Sequence, residues 1–223
     1  MGKMIELTAS DGFKLGAYLA EPAGKPRGAV VVMQEIFGVN SHIKSVADGY
    51  AADGYLAIAP AEFDRGQRNY EAGYTQPEIQ AGVAVMQKLS WDNTMLDVQA
   101  AVDYVKHAGK VGIVGYCRGG TVTFLASAKV TGLSAAVSYY AGFVQNFIAE
   151  KPKCALMFHF GELDQNPSPE IGKQMLAANP AATGHFYPGA NHGFNCDQRP
   201  SYHAESAKLA RERTLAFFRQ QLG

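Results

Sequence analysis

The chain has little cysteine, no excess of charge and no long apolar run, and each of these absences excludes something. Its three cysteines form no Cys-x-x-Cys pair, and an odd count argues against a disulfide framework. The 20 Lys and Arg residues balance the 20 Asp and Glu residues, with no long run of one sign. Such a balance offers no basic face for nucleic acid or an anionic membrane. No stretch approaches the roughly 18 apolar residues of a membrane span. The opening "MGKMIELTAS" lacks the apolar centre of a signal peptide. The expectation is a cytoplasmic protein with reduced thiols, although an exported chain that had lost its leader would read the same way. No repeat, low-complexity tract or linker interrupts residues 1–223, so they read as one domain, with a monomer the expected state. No G-x-G-x-x-G or Walker pattern implies a nucleotide cofactor. No Cys, His, Asp and Glu spacing implies a metal.

What is present is an alternation of strand and helix patterns. "MIELTA" and "FKLGAYL" flank "SDG" as a hairpin. "GAVVVMQ" is a continuous apolar run, as in a strand buried on both faces. "SHIKSVADGYAADGY" has helical spacing and closes at Gly54, and "YLAIAP" is the next strand. The polar stretch from Glu62 to about Pro77 reads as a loop. In "NTMLDVQAAVDYVKHAGK", Met95, Val98, Val102 and Val105 recur at helical intervals, with Thr94 and Asp97 as a capping box. "KVGIVG", "SAAVSYY", "ALMFHF" and "TGHFYP" complete the strands. Helices fall over "GGTVTFLASAK", Pro169 to Ala178 and Tyr202 to Leu222. This predicts an α/β protein with a mostly parallel sheet flanked by helices, and chemistry beyond the carboxyl ends of the strands.

Three polar residues follow strand ends in chain order: Cys117 in "GYCRGG", Asp164 in "GELDQNP" and His192 in "GANHGF". Gly115 and Gly119 flank Cys117 as G-x-C-x-G, a nucleophile elbow with sulfur in place of the usual oxygen. A free thiol is only a few per cent ionised at neutral pH, so it needs a histidine to take its proton and a carboxylate to orient that histidine. The Arg118 amide, opening the next helix, is placed to receive an oxyanion. Each residue alone has a blander reading: a packing cysteine, a turn aspartate, a solvated histidine. The order Cys, Asp, His raises all three together. The other histidines read as structural: His159 within a strand, and His42, His107, His185 and His203 at surface or capping sites. Cys154 and Cys196 read as packing residues, and Asp48, Glu62 and Asp64 as solvated charges.

"VVMQEIFGV", "VGYCRGG", "FGELD" and "GANHGF" together resemble the dienelactone hydrolases, the carboxymethylenebutenolidases of the α/β-hydrolase fold. The likeness runs over essentially the whole chain. It implies a Cys117, Asp164 and His192 triad that opens a small-molecule lactone or activated ester. It also implies that Glu35 lies against the thiol and that the Ile36 amide is a second oxyanion donor. A carboxylate beside the sulfur would keep it neutral until substrate arrives. One position departs from the family. Members that cleave dienelactone carry a carboxylate-binding arginine four residues after the histidine, where this chain has Cys196. A clamp would then fall to Arg65, Arg68, Arg118 or Arg199. A carboxylesterase or thioesterase of different range, and a thiol redox protein, are the alternative readings.

Overall fold

The computed structural model describes residues 2–223. Eight strands form one sheet in the order β1-β2-β4-β3-β5-β6-β7-β8. The hairpin β1 (Lys3–Thr8) and β2 (Lys14–Ala20) is antiparallel and closes its turn at Gly12, whose φ of +83° suits glycine. β2 pairs antiparallel with β4 (Leu56–Pro60). From β4 onward the pairings are parallel, through β3 (Ala29–Met33), β5 (Val111–Tyr116), β6 (Leu133–Tyr139), β7 (Ala155–Gly161) and β8 (Thr183–Tyr187).

The reason for the apolar run in β3 is visible in its two faces. Val31 and Met33 lie on the face of the sheet that α3 (Trp91–Val105), α4 (Arg118–Lys129) and α5 (Pro169–Ala178) cover. Val30 and Val32 lie on the other face, which α1 (Ser41–Ala52) and α6 (Ala204–Leu222) cover. All five β3 residues are buried, so period-two alternation of polarity is absent. In α6, Phe218 and Leu222 are buried, as a core-facing stripe requires.

Three local expectations fail. The stretch read as a loop from Glu62 holds a short 3-10 turn at Glu62–Arg65, and α2 (Gln76–Met86) begins at its end. The signal for α2 was present: Thr75 and Glu78 form a reciprocal capping box, with Pro77 in the first turn. Second, α3 starts three residues before the expected cap. Ser90 caps it, the Thr94 hydroxyl donates back to the Ser90 carbonyl, and Asp97 takes Arg65 instead. Third, Glu62 and Asp64 are buried rather than solvated, and Asp48 is half-buried against the Tyr18 hydroxyl. Glu62 has a distant partner in Arg118, and Asp64 has one in the Gly16 amide, together with the nearby Arg68 side chain and Asn69 amide.

Candidate active site

Strands β3 and β5 are neighbours, with Met33 opposite Gly115. That register sets the loop carrying Glu35 and Ile36 beside the turn carrying Cys117 and Arg118. Cys117 sits between β5 and α4 at φ 54° and ψ −119°, a backbone region that costs a non-glycine residue about 1–3 kcal/mol. The turn is tied on both sides. The Cys117 amide donates to the Tyr139 carbonyl at 3.1 Å, and its own carbonyl accepts from Gly120 at 2.9 Å. There is no room for side chains around it. A β-carbon on Gly119 would lie 2.4 Å from the Gln34 carbonyl oxygen, and one on Gly115 2.0 Å from that of Gly119. Among the described residues, neither the Ile36 nor the Arg118 amide has a protein acceptor. Two donors are therefore free at this edge of the sheet.

Asp164 follows β7 and is buried. One of its oxygens accepts from the Asn166 amide at 2.8 Å, and the other meets His192 Nδ1 at 2.9 Å. This bond leaves Nε2 as the free nitrogen of the ring. His192 follows β8, and its ring lies edge-on to Tyr140, 5.2 Å between centroids. Burial disfavours the charged imidazole. The nearby Cys117 sulfur and the Asp164 carboxylate outweigh that and push the His192 pKa up to about 10.

Glu35 is 1 % exposed, but its bonded partner is not the thiol. Oε1 accepts from Arg199 Nη1 at 3.1 Å, and Oε2 has no partner. No hydrogen bond joins Glu35 to Cys117, and the buried carboxylate is compensated by the Arg199 guanidinium. Arg199 is held against burial by the Glu35 charge and lies near the rings of Phe37 and Tyr74. Gly193, the residue after His192, makes space for it. Its φ is +77°, and a β-carbon there would come within 2.4 Å of Arg199 Nη1.

The other three arginines expected as clamp candidates are committed elsewhere. Arg65 is paired with Asp97 and Asp11 at 2.8 Å each. Arg68 pairs with Asp64 and is half-exposed. The Arg118 side chain is buried beside Glu62 and Thr94, stacked 4.2 Å from the Trp91 ring. Of the remaining histidines, His159 is buried between the Tyr187 and Thr214 hydroxyls, and burial lowers its pKa well below the usual value. His203 caps α6. His42, expected at a surface or capping site, is instead buried in α1. No helix among the described residues is long and apolar enough to cross a membrane.

A mostly parallel sheet with a strained elbow after a central strand, and an Asp–His couple after two later strands, defines an α/β-hydrolase. Comparison narrows the class. Residues 15–222 match the Dienelactone hydrolase family. A carboxymethylenebutenolidase of Pseudomonas putida is 34 % identical, over 96 % of this chain and 94 % of its own. That of Pseudomonas knackmussii is similar to the same extent, 34 % over 96 % and 94 %. A Klebsiella pneumoniae structure assigned as a dienelactone hydrolase superposes with a TM-score of 0.84 at 30 % identity, covering 98 % of this chain and 99 % of that one. The chain belongs to the dienelactone hydrolase family and is a hydrolase.

Proposed function

We propose that the chain hydrolyses a lactone or activated carboxylic ester through an acyl-enzyme on Cys117. The observation that carries this reading is the strained Cys117 turn placed at the same sheet edge as the Asp164–His192 pair. In the mechanism, His192 Nε2 takes the Cys117 proton and the sulfur attacks the carbonyl carbon. The carbonyl oxygen becomes an oxyanion between the Ile36 and Arg118 amides. The tetrahedral adduct collapses, breaking the C–O bond, and His192 gives its proton to the leaving oxygen. For a lactone that oxygen stays on the same molecule, so opening leaves a thioester carrying the new hydroxyl. A water then attacks the thioester with His192 as base, releasing the acid and restoring the thiol. Asp164 holds Nδ1 and stabilises the imidazolium throughout.

Arg199 is the guanidinium at this site that a substrate carboxylate would meet. A carboxylate bound there competes with Glu35. The released Glu35 then becomes available as a second proton acceptor near the sulfur. This couples recognition of an acidic substrate to activation, and gives Glu35 the role expected of it by a longer route than direct contact. The test is a panel of unsaturated lactones, aryl esters and acyl thioesters, each with and without a carboxylate. Turnover of lactones or aryl esters that disappears in Cys117→Ala supports the reading. Near wild-type turnover in Cys117→Ala overturns it.

A further inference from the structure

The loop that carries His192 and Arg199 continues into a second cluster, which the reaction above does not use. Cys196 is fully buried in it, and Asp197 lies at the rim with a side chain 66 % exposed. His42 reaches them from α1, more than 150 positions earlier in the chain. One nitrogen of His42, the Cys196 sulfur and a carboxylate oxygen of Asp197 all lie within 4.8 Å of one another. His42 Nδ1 is 3.1 Å from Asp197 Oδ1, while its Nε2 is buried and has no partner. A hydrogen bond between helix and loop needs only the Nδ1 contact. The other nitrogen is buried and meets no protein partner, and a buried polar group without a partner is costly.

We infer that His42, Cys196 and Asp197 form a Zn²⁺ site that ties the loop bearing His192 to the start of α1. A thiolate, an imidazole and a carboxylate make the mixed sulfur, nitrogen and oxygen set that zinc takes, whereas magnesium and calcium prefer oxygen alone. A cavity of about 250 Å³ between α1 and α6 opens onto His42 and Asp197. It supplies the way in and room for a water as fourth ligand. Asp197 supplies a carboxylate oxygen as the third protein ligand, in place of its present contact with His42 Nδ1. Metal binding displaces the Cys196 thiol proton to solvent, and the thiolate, imidazole and carboxylate then share the ion's charge.

The catalytic thiol and His192 are themselves soft ligands, so the measurement is made in Cys117→Ala. Zinc binding is followed by titration against a chromogenic chelator, and thermal unfolding is recorded with zinc and with EDTA. The expected result is a single equivalent bound per chain and a zinc-dependent rise in Tm. Both should be lost in Cys117→Ala/Cys196→Ser and in Cys117→Ala/His42→Gln. Asp197→Asn should weaken binding about 10–100-fold. No binding at micromolar zinc in Cys117→Ala, or full binding retained in either double variant, overturns the site. Should both double variants fail to fold, Co²⁺ added to Cys117→Ala/Cys154→Ser decides. A sulfur-to-cobalt charge-transfer band supports the site, because Cys196 is then the remaining thiol. Cobalt bound without that band, or not bound at all, overturns it.

Discussion

Two arginines of this chain make an instructive pair. Arg118 is the neighbour of Cys117 in sequence, yet its side chain lies between Glu62 and Trp91 with no part in the site beyond its amide. Arg199 is 82 positions away from Cys117 and holds Glu35 at the mouth of the same site. Adjacency along the chain placed a backbone group, because the elbow's geometry is local. It did not place the guanidinium, because that depends on which buried carboxylate the finished fold puts within reach. The comparison predicts that the neighbourhood of Cys117 separates into positions that matter through the main chain and positions that matter through the side chain.

The largest effect belongs to the side chains at the reacting centre. Cys117→Ala should abolish hydrolysis, and His192→Ala and Asp164→Asn should each cost several orders of magnitude, about 10³–10⁶ in kcat/KM. Removing the sulfur also removes one of the two neighbours that raise His192. The imidazole titration near pH 10 should therefore move down in Cys117→Ala, as followed by NMR of the ring protons. An unmoved titration would show that Asp164 alone sets it.

The arginine pair comes next, and the two should fail in different ways. Arg118→Met leaves Glu62 as an uncompensated charge at zero exposure and should cost about 3–5 kcal/mol of stability, read by urea unfolding. The ratio of kcat/KM for an acidic lactone over its methyl ester should stay as it was. Arg199→Gln should do the reverse: a modest change in stability, and a loss of about 10²-fold in that ratio. A ratio lost in Arg118→Met and kept in Arg199→Gln would dissolve the distinction. Gly119→Ala tests the main-chain side of it. A β-carbon meets backbone oxygens at 2.4 and 2.5 Å, so a destabilisation of about 2–4 kcal/mol is expected, with activity falling as the elbow shifts.

The same distinction explains what was legible before folding. The succession of strands and helices along the chain, the hairpin, the elbow and the Asp–His succession are written in local patterns: apolar runs, glycines around a tight turn, polar residues just past strand ends. The burial of Glu62, Asp64 and His42 was not legible. Each is a polar residue made tolerable at least in part by a group from another segment: Arg118 for Glu62, the Gly16 amide for Asp64 and Asp197 for His42. The contact of Glu35 with Arg199 belongs to this second kind. So does the meeting of His42 with Cys196. The helix α2 is different, since Thr75 and Glu78 announced its start and a Gly- and Tyr-rich approach masked it.

Glu35 gives the smallest effect and the finest test of the comparison. It belongs to the main-chain layer by position, just after β3, and to the side-chain layer through its pair with Arg199. Glu35→Gln keeps the shape and removes the charge, leaving Arg199 without a counter-ion beside the sulfur. An unpaired guanidinium favours the thiolate, so alkylation of Cys117 should speed up at neutral pH and its profile should move to lower pH, by about one unit or roughly tenfold in rate. Turnover should fall all the same, because the variant lacks the carboxylate that substrate binding would release toward the sulfur. The measurement is alkylation rate against pH for the wild type and Glu35→Gln, with Cys154 and Cys196 replaced by serine and EDTA present, alongside kcat/KM. Faster alkylation with slower turnover separates the two roles of the carboxylate. Identical profiles with undiminished turnover would remove Glu35 from the reaction and leave its pair with Arg199 as a purely structural contact.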